Sequence, residues 1–202
     1  MRAKAHSLPS SSCARTGGCS AGDTSAITAS GQFVNLKIEG LYLRRPISVC
    51  DYTKNTLTLI YKVVGKGTET MKEFSVGTEV DTLLGLGNGY NTDLSGDKPL
   101  LIGGGAGVPP MYWLAKHLLN KGVKPVAILG FNKKEELFYE EEFKALGVET
   151  VITTVDGSYG VKGFVTNALP ENYTYFYTCG PEPMLKAVHK ATVTSGEMSF
   201  EE

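Results

Sequence analysis

Between residues 23 and 97 the apolar positions come in short runs separated by glycine and polar clusters. Residues 32–38, 45–50, 56–64 and 79–84 concentrate Val, Ile, Leu, Thr and aromatic side chains, the pattern of short strands. No long amphipathic helix intervenes, so the spacing predicts a small antiparallel barrel or sandwich. From Pro99 the period changes. Residues 100–102, 126–129, 150–155 and 173–178 are strand-like and largely apolar, and helical patterns alternate with them. In residues 109–120 the apolar side chains Met111, Leu114, Ala115 and Leu118 recur at helical spacing. Residues 137–146 read as an acidic amphipathic helix and residues 183–194 as a third helix with Leu185, Val188 and Thr192 on one face. Strands alternating with helices predict a doubly wound parallel sheet, with ligands held outside the carboxyl ends of its strands. The expected division falls at residue 97/98, a β domain over 23–97 and an α/β domain over 98–202.

Residues 1–22 differ from both halves. They contain no acidic residue, five serines and the pair Gly17-Gly18, and they show neither period. They are expected to be a disordered or non-native tail. No continuous apolar segment suits a secretory signal or a membrane span.

Composition narrows the function classes. Apolar residues make up 42 %, charged residues 20 %, and the formal net charge is −1. Such a balance is that of an ordinary folded domain and gives no electrostatic basis for nucleic-acid binding. The four cysteines, Cys13, Cys19, Cys50 and Cys179, form no CxxC pair and have no histidine at zinc-ligand spacing. No metal site is expected, and sparse cysteine use fits a cytoplasmic location.

Glycine carries the strongest local signal. Leu101-Ile102-Gly103-Gly104-Gly105-Ala106-Gly107-Val108-Pro109-Pro110 runs a strand into glycines and opens a helix at proline. Glycines let the backbone approach a pyrophosphate, and a helix start favours negative charge. A second strand–glycine–helix junction is Cys179-Gly180-Pro181-Glu182-Pro183-Met184, which a parallel sheet would bring to the same edge. Cys179 suits a packing position as well as it suits a ligand-facing one. In the β half, Arg44-Arg45-Pro46-Ile47-Ser48 places arginines, suited to phosphate, in a strand. Gly65-Lys66-Gly67-Thr68 reads as a turn with free amides and a hydroxyl able to hold an anion. No basic cluster awaits a 2′-phosphate, which favours NAD over NADP.

Together these motifs resemble the ferredoxin–NADP reductase-like flavoproteins, in which an FAD-binding β-barrel precedes an NAD(P)-binding α/β domain. The family's R-x-x-S/T motif is matched by Arg45, Pro46, Ile47 and Ser48. Its G-x-G-x-x-P motif is matched by Gly105, Gly107 and Pro110, and its C-G-P-x-x-M motif by Cys179, Gly180, Pro181 and Met184. The stretches GLGNGY, FYEEEF and DGSYGVKGFVTNAL are most similar to the electron-transfer subunits of NAD-dependent dihydroorotate dehydrogenases, over roughly residues 23–202. The resemblance implies an FAD-dependent oxidoreductase subunit of pyrimidine biosynthesis. It would pass electrons between NAD(H) and an FMN-containing dihydroorotate dehydrogenase catalytic subunit, within a heterotetramer. Arg45–Ser48 would hold the flavin, with Ile60, Tyr61, Lys62, Gly67 and Thr68 lining the rest. Gly103, Gly104, Gly105, Gly107, Pro110, Asp156, Cys179, Gly180, Pro181 and Met184 would shape the NAD side. No residue is expected to act as a protein acid or base. The family's [2Fe-2S] cysteines follow the stretch at which this sequence ends, so no cluster ligands are expected in it. The family's first barrel strands fall where residues 1–22 stand, so the barrel is expected to be partial, with an open edge and weakened FAD binding. A related sulfide or ferredoxin–NAD(P) reductase subunit, or a non-catalytic nucleotide- or partner-binding fragment, are the alternative functions.

Overall fold

A computed structural model describes residues 2–7, 14–21, 23–192 and 194–200. The chain forms two compact units, divided between Gly89 and Tyr90.

The first unit is a closed antiparallel barrel of β1 (Arg2–Ser7), β2 (Ala14–Ala21), β3 (Phe33–Leu36), β4 (Arg45–Tyr52), β5 (Thr56–Lys62) and β6 (Glu79–Leu86), in the order β1-β2-β5-β4-β3-β6. Alternation does what period-2 patterning requires. Val34 and Leu36 of β3, Ile47 and Val49 of β4, and Leu57 and Leu59 of β5 are buried, with half-exposed or exposed residues between most of them. Val34 stands opposite Ile47 and Val49 opposite Leu59, so one apolar set meets itself across the ladder. The register shifts between Val49 and Asp51, a bulge that bends β4.

Two expectations are corrected here. Residues 2–7 and 14–21, within the stretch expected to be a tail, form β1 and β2, and the barrel is closed where it was expected to be partial. Ala14–Ser20 pair with β5 from Lys62 back to Thr56, and Arg2–Lys4 pair with β6. The small and polar residues of 1–22 hide any period, but β5 and β6 give β2 and β1 ladder partners, and long-range pairing overrides weak local preference. Gly65-Lys66-Gly67-Thr68, expected to be an open turn, instead caps and begins helix α1 (Lys66–Lys72).

The second unit is a parallel sheet of β7 (Leu100–Gly104), β8 (Val126–Phe131), β9 (Glu149–Thr154), β10 (Val161–Lys162), β11 (Phe176–Gly180) and β12 (Gly196–Phe200), in the order β10-β9-β8-β7-β11-β12. The chain steps outward from β7 to β10, then returns to the other side of β7 as β11. In open parallel sheets such a reversal marks the edge where ligands lie, here the carboxyl ends of β7 and β11. Helices α2 (Val108–Asn120) and α3 (Glu140–Ala145) cover one face, where Met111, Leu114, Leu118 and Phe143 pack with Leu101, Leu129 and Tyr177. Helix α4 (Glu182–Ala191) covers the other, where Val188 packs with Leu100, Ile102, Ile128 and Phe176. Burial on both faces explains why β7, β8 and β11 read as continuous apolar runs.

The helix expected over 137–146 begins only at Glu140, because Leu137 is extended and Tyr139 is left-handed (φ 67°, ψ 6°). Residues 90–97, expected to end the β domain, belong to the α/β unit. Tyr177 Oη donates to the Asn91 carbonyl (2.8 Å), and the Asn91 amide donates to the Glu197 carboxylate (3.0 Å). Lys121 Nζ reaches Thr92 Oγ1 (2.8 Å) and Asp93 Oδ1 (2.7 Å). Among the described residues no helix is long and apolar enough to cross a membrane.

Removing residues 1–22 leaves the edges of β5 and β6 unpaired, and such edges associate with other chains. The shortened chain is expected to form higher oligomers on size-exclusion chromatography and to lose hydrogen-exchange protection in β5 and β6, while β7 and β8 stay protected.

Candidate functional site

At the carboxyl edge of the parallel sheet, small residues stand side by side. Gly104 pairs with Gly130, Gly130 with Thr153, and Gly103 with Cys179. The reason for glycine is close approach. A Cβ on Gly107 would fall on the Cys179 carbonyl, and one on Gly104 would fall on Met184 Sδ. A Cβ on Gly103 would come within 2.9 Å of Val108 Cα, and one on Gly130 within 2.5 Å of Val165 Cγ1. The loop after β7 and the loop after β11 therefore interlock, with Met184 of α4 lying over the glycines. Gly105 has a different role: its φ of +53° makes the turn that a residue with a Cβ adopts only at a cost.

The start of α2 offers fewer donors than a helix usually does. Pro109 and Pro110 have no N–H, and the Val108 amide donates to the Gly105 carbonyl. An anion at this edge would be held by the loop amides before the helix and by the helix dipole. Of the residues expected to form one site, Gly103 and Gly104 end β7, Cys179 and Gly180 end β11, and Gly105, Gly107, Pro110, Pro181 and Met184 lie in the turns that follow and the first turns of the helices they open. Asp156 lies apart, just beyond β9, where its Oδ1 accepts from the Ser158 amide (2.9 Å) and hydroxyl (2.6 Å). Those bonds, the hydroxyl's first, hold its carboxyl below the usual carboxylate range.

Sequence reasoning missed Tyr90. It closes the stretch Gly85-Leu86-Gly87-Asn88-Gly89-Tyr90 and packs its ring edge-on to Tyr177 (5.6 Å) in the core that contains Cys179. Its hydroxyl is buried, with Cys179 and Ser199 as its polar neighbours. Burial, then the nearby Cys179, pushes its ionisation well above the ordinary range. The signal in the sequence is a tyrosine where an apolar ring would pack.

In the barrel unit, Arg45, Pro46, Ile47 and Ser48 lie on β4, and Ile60, Tyr61 and Lys62 on the adjoining β5. Ile47, Ile60 and Tyr61 are buried, whereas Arg45, Pro46 and Ser48 are half-buried. A Cβ on Gly67 would fall on Arg45 Nε, so the guanidinium lies against the first turn of α1. Arg45 Nη1 donates to the Leu43 carbonyl (2.9 Å), which orients the fork and engages one nitrogen of three. Thr68 Oγ1 accepts from the amides of Val64 (3.0 Å) and Gly65 (3.2 Å) and so fixes the loop on which that turn stands. A guanidinium held against glycine backbone suits a pyrophosphate. Among the described residues, no three His, Cys, Asp or Glu side chains converge as metal ligands.

Residues 101–190 match the family model for an oxidoreductase NAD-binding domain. The chain is 47 % identical over 185 residues to the electron transfer subunit of dihydroorotate dehydrogenase B (NAD(+)) from Fusobacterium nucleatum, covering 85 % of this chain and 71 % of that relative. It is 47 % identical over 174 residues to the corresponding subunit from a Geobacillus species, covering 81 % and 67 %. Among solved structures it resembles an NADH-dependent reduced ferredoxin–NADP oxidoreductase (TM-score 0.83, 26 % identity, 95 % of this chain and 71 % of that one). Phthalate dioxygenase reductase shares the fold (TM-score 0.82, 15 % identity, 99 % and 67 %). With this identity carried through both units, the chain belongs to the family of dihydroorotate dehydrogenase B electron transfer subunits, ferredoxin reductase-like oxidoreductases.

Proposed function

We propose that this chain passes electrons between NAD(H) and the flavin of a dihydroorotate dehydrogenase catalytic subunit, in the cytoplasm and in pyrimidine biosynthesis. The observation that carries the reading is the interlock of the two glycine loops where the parallel sheet reverses direction. In such sheets the reversal places a dinucleotide at this edge. The backbone of Gly103–Gly107 would take the pyrophosphate of NAD(H). The loop from Cys179 to Pro181 would border the nicotinamide, with the Cys179 core beneath it excluding water, and the carboxylate of Asp156 would take the far ribose. In the barrel unit Arg45 would hold the FAD pyrophosphate, and Pro46, Ile47, Ser48, Ile60, Tyr61, Lys62, Gly67 and Thr68 would shape the remainder of that site. FAD, when bound, supplies the redox chemistry that links a two-electron donor to the partner's FMN; the protein supplies position and electrostatics.

The purified chain is expected to show a flavin absorption spectrum that bleaches on anaerobic addition of NADH; a colourless protein that takes up no added FAD would overturn the reading. Arg45→Ala is expected to weaken FAD retention at least about tenfold, as loss of a charged hydrogen bond does, measured by ultrafiltration of the bound flavin. Gly107→Ala drives a Cβ onto the Cys179 carbonyl. It is expected to raise the KM for NADH about tenfold or more, with the flavin spectrum of the oxidised protein unchanged.

A further inference from the structure

The loops that follow β8 and β9 are bound together beyond the ends of their strands. The Val155 amide donates to the Phe131 carbonyl (3.1 Å) and the Asp156 amide to the Asn132 carbonyl (3.2 Å). Ser158 Oγ accepts from the Lys134 amide (2.8 Å) and gives its proton to Asp156 Oδ1 (2.6 Å). With the Ser158 amide on the same oxygen (2.9 Å), Oδ1 is fixed and the carboxylate plane with it.

Tyr159 ties this turn to α3. Thr154 Oγ1 donates to the Tyr159 carbonyl (2.6 Å) and accepts from its amide (3.1 Å). Tyr159 Oη donates to Glu140 Oε1 (3.1 Å), and Lys144 Nζ pairs with the same carboxylate (2.7 Å). Glu140 stands at the first position of α3 because Tyr139 turns the chain through the left-handed region. Among the described residues Tyr139 is the non-glycine residue with positive φ, and its ring is held edge-on by Tyr112 (4.8 Å) and Phe138 (6.1 Å). Strain of this kind persists where its surroundings fix it and gathers at functional sites.

In dinucleotide folds the acidic residue that reads the adenosine ribose usually ends the second strand. Here β8 ends into Asn132-Lys133-Lys134, a basic pair where the sequence was read as holding no basic cluster for a 2′-phosphate. The carboxylate comes instead from Asp156, beyond the third strand. We propose that Glu140 and Tyr159 are positioning residues that hold the Asp156 turn as the reader of a bare ribose diol, so that the site accepts NADH and refuses a nucleotide with a 2′-phosphate. The diol donates to the carboxylate, whereas a phosphate is repelled by it. Lys134 Nζ lies over the Tyr159 ring (5.6 Å), so if the turn drifts Lys133, whose charge reaches Asp156, is the cation left to favour the phosphate. The inference rests on the carboxyl edge being the NAD site.

The test is calorimetric titration of the full chain with NADH and with NADPH, for wild type, Tyr159→Phe, Glu140→Ala and Glu140→Gln, with thermal midpoints measured alongside. Tyr159→Phe and Glu140→Ala are expected to lose NADH affinity about tenfold without losing NADPH affinity. Their double variant is expected to lose no more than either alone. Glu140→Gln keeps an acceptor for the Tyr159 hydroxyl and is expected to restore the selectivity. A purely structural role would weaken both nucleotides by one factor, and that result overturns the proposal, as does unchanged selectivity in Tyr159→Phe. A wild-type chain that binds neither nucleotide overturns the NAD site itself as well, so the two failures are told apart.

Discussion

The closest constraint in the α/β unit is the contact of Gly107 with the carbonyl of Cys179. Two strands that are neighbours in the sheet but far apart in sequence, β7 and β11, each end in a glycine turn and a helix. Their loops share one space only because neither carries a side chain at the contact. Gly104 and Gly180 continue the same logic under Met184, whose flexible thioether fits a surface with no side chains of its own. The loop geometry required for a dinucleotide crevice is thus first a requirement of the protein's own packing.

The barrel uses glycine for a related purpose. Gly67 leaves room for the Arg45 guanidinium, and Thr68 holds the loop that supports the helix turn beneath it. Arg44, the neighbouring residue, does something different: its Nη2 pairs with Asp81 Oδ2 (2.7 Å) and its Nη1 reaches the Asp81 carbonyl (3.1 Å), linking the start of β4 to β6. Two adjacent arginines of like chemistry thus have different partners, Arg45 the first turn of α1 and Arg44 the Asp81 carboxylate.

Much of the architecture was legible because burial leaves periodic traces. The two-sided apolar runs of β7, β8 and β11 and the helical spacing of Met111, Leu114 and Leu118 come from packing against both faces of one sheet. The glycine motifs were legible for their turns and junctions. Their close contacts were not, because a steric requirement between Gly107 and Cys179 involves two segments that no local pattern connects. β1 and β2 left no trace for the opposite reason. Small and polar residues at Ala14–Ala21 carry little strand preference and are placed by the ladder they complete with β5.

By itself, then, the sequence determined the order of a β unit and an α/β unit, the strands with strong apolar patterns, and the chemistry of the arginine and glycine motifs. Those are local properties, set by side-chain period and backbone permissiveness. Only the tertiary structure decided that the barrel closes, that residues 90–97 pack with the second unit, and that Tyr90 lies beside Cys179. It alone joined Asp156, Ser158, Tyr159 and Glu140 in one network. Each of these depends on hydrogen bonds or contacts between distant segments, whose free energy exists only once the sheet has brought the segments together.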